Sequence, residues 1–149
     1  DKKLEHEEAL NVLDEAIKID PKKPNPRFYK GIVLGKTGKH ELALNCFENV
    51  YRANPKHLDA LFHKGIELAE LERHEKAIEV FDTILDKHKG NINVIYAKAR
   101  SKAAVNEVNE AFDLLKIAIK SSKTIKLWAR KEKVFEKFYD DPEFQRMVK

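Results

Sequence analysis

The 149-residue sequence repeats itself every 34 residues, and that period decides what the chain can fold into. Phe62-His63-Lys64-Gly65 is preceded by Phe28-Tyr29-Lys30-Gly31 and followed by Tyr96-Ala97-Lys98-Ala99. His74-Glu75-Lys76-Ala77-Ile78 has counterparts in His40-Glu41-Leu42-Ala43-Leu44 and His6-Glu7-Glu8-Ala9-Leu10. The series Ala77, Phe81, Ile84 is matched by Ala9, Leu13, Ala16, by Ala43, Phe47, Val50 and by Ala111, Leu115, Ala118. A unit this short cannot bury its own apolar face, so neighbouring units must stack and share a core.

Inside each period the apolar spacing is helical. Residues 5–19 predict one amphipathic helix with Ala9, Leu10, Leu13, Ala16 and Ile17 on its packed face. Asp20-Pro21 and Asn54-Pro55 end helices, because the residue before proline is pushed out of helical geometry. Further helices are predicted over residues 25–37, 40–53, 57–71, 74–88, 92–105 and 107–120, with a turn at Gly38 and a left-handed pair at Gly90-Asn91. Gly31 and Gly65 fall mid-helix, where glycine costs about 0.5–1 kcal/mol against alanine. That cost is rational if Phe47 and Phe81 approach too closely for a larger residue.

The period and these residues resemble the tetratricopeptide repeat (TPR), a helix–turn–helix unit with a small residue in its first helix and an alanine–aromatic–small series in its second. The resemblance spans residues 6 to 122 and implies an all-α, right-handed α–α superhelix (a TPR solenoid) with C-terminal capping helices. It divides the chain into a truncated unit at 1–22, units at 24–57 and 58–91, a divergent unit at 92–123 and capping helices at 124–149. Lys30, Lys64 and Lys98 stand where the family has an aliphatic residue, and can lay their stems on the packed face. The third unit lacks a closing proline and carries Val108 where an aromatic is usual.

The resemblance also implies a peptide-binding groove lined by the first helices. Carried over by position, that groove holds Phe28, Tyr29, Ile32, Phe62, His63, Ile66, Tyr96 and Arg100. Co-chaperone members that hold a C-terminal carboxylate use lysine and asparagine at several of these places. Here Phe28, Ile32, His63, Tyr96 and Arg100 stand there, and only the arginine suits a carboxylate. The expected type is therefore a non-carboxylate-clamp TPR with Lys-Gly in the first helix. Its aromatic–aliphatic stripe is covered either by a protein or peptide partner or by another part of the same polypeptide.

Catalytic and metal motifs fail on spacing. His-Glu-x-x-His on a helix is a metalloprotease signature, but the fourth residue after His6, His40 and His74 is Leu10, Leu44 and Ile78. The five glycines are scattered and form no phosphate loop. Cys46 reads as a small hydrophobe on a helix. The expectation is a chain that is not an enzyme and needs no cofactor or metal.

Charge adds one candidate surface. Residues 120–137 carry seven basic and two acidic side chains, against a net +4 for the whole chain. A single helix is predicted over 124–139, with Leu127, Val134 and Phe138 on one side, and a second from Pro142 to Val148 started by Asp141. Lys126, Arg130, Lys133 and Lys137 would then share one face about 16 Å long. The stripe suits a solvated face or an acidic protein, and nucleic acid least, since Glu132 and Glu136 lie beside it.

One cysteine cannot form an internal disulfide, and no apolar run reaches the roughly 18 residues of a membrane span. A cytoplasmic setting without membrane contact is expected. A start at Asp1 inside a helical pattern reads as a fragment of a longer protein, whose open first helix could self-associate. The functional expectation is a protein–protein interaction scaffold, with self-assembly onto another copy or onto upstream repeats as the alternative.

Overall fold

Asp20 and Asn54, each before a proline, leave helical geometry with nearly identical angles, φ −142°, ψ 90° and φ −140°, ψ 90°. These two breaks set the frame of the first half of the chain. The computed structural model describes residues 1–149, and they are all-α. Helices α1 (Lys2–Ile19), α2 (Pro24–Lys36), α3 (His40–Ala53) and α4 (Leu58–Glu70) make one unit, Asp1–Arg73. Helices α5 (His74–Lys87), α6 (Ile92–Ala104), α7 (Val108–Ser121), α8 (Thr124–Lys131) and α9 (Pro142–Val148) make the second, His74–Lys149. No helix is long and apolar enough to cross a membrane.

Each turn from a first helix to its partner uses one left-handed residue, and these also recur at the period: Gly38 (φ 82°), Glu72 (φ 61°) and Asn106 (φ 64°). The next N–H in each case reaches five residues back: Lys39 to Leu34, Arg73 to Leu68 and Glu107 to Lys102, at 2.9, 2.8 and 2.9 Å. Those bonds satisfy carbonyls the helix end would otherwise orphan. The left-handed pair predicted at Gly90-Asn91 is not formed. Asn91 has φ −70° and caps α6, its side chain accepting from the Val94 N–H at 3.3 Å. Capping captured this asparagine because the preceding turn closes without a reversed backbone.

In the first unit α1 packs on α2, α2 on α3, and α3 on α4. Leu34, Ala43 and Phe47 form one cluster of its core, with Leu10, Phe28, Ile32 and Cys46 against them. The close approach expected at Gly31 is present: a Cβ there would lie 2.7 Å from Phe47 Cε1 and 2.8 Å from Cζ. Helix α1 buries no residue completely, and Val12 and Ile19 remain 67% and 84% exposed.

In the second unit α6 packs on α5 and α7, and the C-terminal helices close over α7. The single helix predicted over 124–139 is two elements. Helix α8 stops at Lys131, Glu132 is extended (φ −73°, ψ 120°), and Lys133–Phe138 form a 3₁₀ turn. The break lets Phe135 and Phe138 both enter the cluster of Tyr96, Phe112, Leu115, Ile125, Ala129 and Phe144. The apolar side predicted for that helix is corrected accordingly: Leu127 is 53% exposed, whereas Ile125 and Ala129 are buried.

Candidate functional site

Six of the expected groove residues lie in the first unit, on α2 and α4. Phe28 is half-buried in an aromatic cluster, its ring 5.6 Å from Phe47, 5.0 Å from His57 and 5.5 Å from His63. His63 stacks on Phe47 at 5.2 Å, and Phe62 meets the edge of His63 at 5.5 Å. Burial lowers the pKa of His63, only partly opposed by Asp59, which favours the neutral form of the ring. Tyr29 points outward and is 56% exposed.

Ile32, His63 and Ile66 come together in one cleft of about 340 Å³, whose wall also includes Gly35, Lys36, His40, Glu67 and Glu70. Its polar half went unassigned from the sequence. Glu67 is only 6% exposed and takes a 2.7 Å contact from His40 Nδ1. Burial raises the Glu67 pKa, and the His40 bond works in the opposite direction. The other carboxylate oxygen lies against the Gly35 backbone, so closely that a Cβ there would collide with Glu67 Oε1. A signal existed in the sequence: His40 and His74 recur at the period, and each reaches 27 residues ahead. His74 Nδ1 meets the buried Ser101 Oγ at 3.3 Å. The partner type changes from carboxylate to hydroxyl, so a search for repeated chemistry passes over it.

Tyr96 and Arg100, in the second unit, are covered by the chain's own C-terminal segment. Tyr96 is 6% exposed, its ring 5.6 Å from Trp128 and 6.1 Å from Phe135. Arg100 Nε lies 3.3 Å from Glu132 Oε2. Burial and the Glu132 carboxylate raise the Tyr96 pKa and keep its hydroxyl protonated. Self-burial, one of the two expectations for the stripe, describes this end of it.

The basic stripe does not form as one face. Lys126 Nζ donates to the Lys149 carbonyl at 3.3 Å and Arg130 Nε donates to the Val148 carbonyl, both at the end of α9. Lys137 Nζ donates to the Ala103 carbonyl and to Asn106 Oδ1, each at 2.6 Å, at the end of α6. These cations serve helix C-termini, where carbonyls are unsatisfied and the dipole is negative. With the helix broken at Glu132, Lys133 is left on a different element from Lys126 and Arg130.

Paired helices, left-handed turns at a fixed period and a small residue under Phe47 together define the repeat. Residues 28–92 match the tetratricopeptide repeat family. Solved TPR structures resemble nearly the whole chain. A structure of MamA from Desulfovibrio magneticus RS-1 superposes with a TM-score of 0.80 at 17% identity, over 96% of this chain and 80% of that one. A tetratricopeptide repeat protein from Parabacteroides merdae gives 0.84 at 17%, over 98% and 57%. YrrB, described as a TPR protein with an unusual peptide-binding site, gives 0.72 at 16%, over 98% and 76%. At these identities the likeness is one of fold. No curated protein matches the sequence.

Proposed function

We propose that the chain is a non-catalytic interaction scaffold of the kind without a carboxylate clamp, and that its first unit holds an extended peptide or protein segment. The observation that carries this reading is the cleft of about 340 Å³ in which Ile32, His63 and Ile66 offer an apolar floor. Exposed Tyr29 extends the same helix surface, and Phe28 and Phe62 support the His63 ring from behind. Lys36 and Glu70 at the wall orient polar groups of the ligand. YrrB's described peptide site is consistent with such a use of the fold. A cytoplasmic setting suits the free thiol of Cys46.

Apolar burial at about 25 cal/mol per Å², less the cost of ordering a peptide, puts the affinity near micromolar, roughly −7 to −9 kcal/mol. Peptides selected from a random library should bind with little dependence on salt. Ile66→Ser and Tyr29→Ala should each weaken them by about tenfold while leaving the melting temperature near that of the parent. Unchanged affinity in both variants removes this face from consideration.

A second reading has its own observation. Helix α1 buries nothing completely and exposes Leu4, Val12 and Ile19. Self-association through that helix would cover them. Light scattering across a dilution series tests it: a concentration-independent monomer rejects self-assembly.

A further inference from the structure

At position 27 the chain carries Arg, where the next two periods carry Leu61 and Ile95. Those two are core residues, 3% and 6% exposed. A guanidinium cannot be buried in that role without a partner. At Arg27 the first unit instead has a cleft of about 360 Å³, lined by Lys22, Lys23, Arg27, Asn49, Val50 and Ala53 among others. It shares no residue with the cleft at Ile32 and Ile66.

The charge around it is lopsided. Arg27 Nη1 donates to the Pro21 carbonyl at 3.2 Å, which holds the side chain in place and leaves its other N–H groups available. Lys22 and Lys23 form no ion pair, and Arg52 stands beside the wall with its Nη1 3.5 Å from Asn49 Oδ1. No acid lines the cleft, and the carboxylate of neighbouring Asp20 already accepts the Lys22 backbone N–H at 3.2 Å. Pro24 and Pro26 begin α2 and have no N–H to offer, so the helix start supplies few backbone donors and side chains must do most of the holding. A fork-shaped guanidinium with two flexible ammonium groups matches a doubly charged tetrahedral anion better than a single carboxylate. The volume also exceeds that of a bare ion and lies in the range of small-ligand sites.

We propose that this cleft binds a phosphomonoester, held by Arg27, Lys22 and Lys23. The group reaches it either on a free phosphorylated small molecule or on a phosphorylated serine or threonine of a protein. The structure offers the same chemistry to both.

Amide chemical shifts of the whole 149-residue chain, at constant ionic strength, test the proposal. The probes are inorganic phosphate, a phosphoserine peptide and the same peptide unphosphorylated. Saturating shifts at residues 20–27 and 49–53 with either phosphate probe support the site. A phosphopeptide bound more than about tenfold tighter than inorganic phosphate assigns the ligand to a protein, and the reverse assigns it to a free metabolite. Arg27→Leu restores the residue type of the later repeats and should weaken binding by at least about tenfold, with partial recovery in Arg27→Lys. Should Arg27→Leu fail to fold, Lys22→Ala/Lys23→Ala gives the same reading, since both residues are exposed loop positions. The proposal is overturned if neither phosphate probe saturates, if the unphosphorylated peptide shifts the same amides equally, or if the charge-removing variants bind phosphate as the parent does.

Discussion

Lys98 Nζ lies 2.6 Å from Asp82 Oδ1, and the same pair occurs at earlier periods as Lys30 with Asp14 at 2.7 Å and Lys64 with Glu48 at 3.9 Å. In each case the lysine next to the small residue reaches a carboxylate sixteen positions earlier, on the preceding second helix. A lysine suits this position because its stem packs and its ammonium finds a fixed acid. Double-mutant cycles with Lys98→Met and Asp82→Asn should give a coupling of about 0.5–1 kcal/mol, modest because the acid is half-exposed and screened. The Lys64 and Glu48 cycle should give about two-thirds of that, since its charges are farther apart. Equal couplings, read from urea midpoints, would mean that the spacing carries no energetic weight.

Gly31 is fixed by a close approach. A methyl there already sits within 2.8 Å of two Phe47 ring atoms, and 3.2 Å from Cys46 Cβ. Gly31→Leu should therefore cost about 1–3 kcal/mol or more by overpacking. The measurement is the shift in denaturant midpoint. A variant as stable as the parent would show that the ring can withdraw.

Glu67 makes the stability of the first unit depend on pH. Its folded pKa is raised, chiefly by burial. The folded carboxyl therefore holds its proton at pH values where the unfolded one has lost it. Its contribution is complete below the unfolded pKa and declines as pH rises through the folded one. Glu67→Gln removes that decline. The variant's stability relative to the parent should grow as pH rises above about 4.3 and then level off, as read by melting at a series of pH values. A difference that is flat across this window contradicts the assignment.

Lys137 and Lys133 look alike in sequence and differ in the fold. Lys137 caps the end of α6 through the Ala103 carbonyl and rests over the Phe138 ring at 5.3 Å, while Lys133 begins the 3₁₀ turn. Lys137→Met should cost about 1 kcal/mol, the worth of a charge-assisted cap, and Lys133→Met close to nothing. If thermal denaturation finds the two variants alike, the cap contributes nothing.

The helical hairpins were legible because their determinants are local and repeated. Asp20-Pro21 and Asn54-Pro55 forbid continuation whatever surrounds them, and Gly31 beside Phe47 encodes a distance of approach that any homologous packing must respect. The helix boundaries 40–53 and 142–148 follow from caps and breakers within a few residues of each end. Of the eight residues that line the candidate cleft, three, Ile32, His63 and Ile66, were among those expected from the sequence.

The rest depended on partners far apart in sequence. Nothing local marks Glu132 as a break, because its backbone leaves the helix only where Arg100 and the cluster around Phe112 draw Glu132 and Phe135 to different places. The burial of Tyr96 beneath Trp128, and the employment of Lys126, Arg130 and Lys137 at helix ends, have the same origin. By itself the sequence determined the period, the helices and the small-residue contacts, since each rests on backbone geometry or on packing between adjacent helices. Tertiary structure decided which charged and aromatic side chains stay available, because a cation's fate depends on whether an unsatisfied carbonyl or carboxylate lies within reach across the fold.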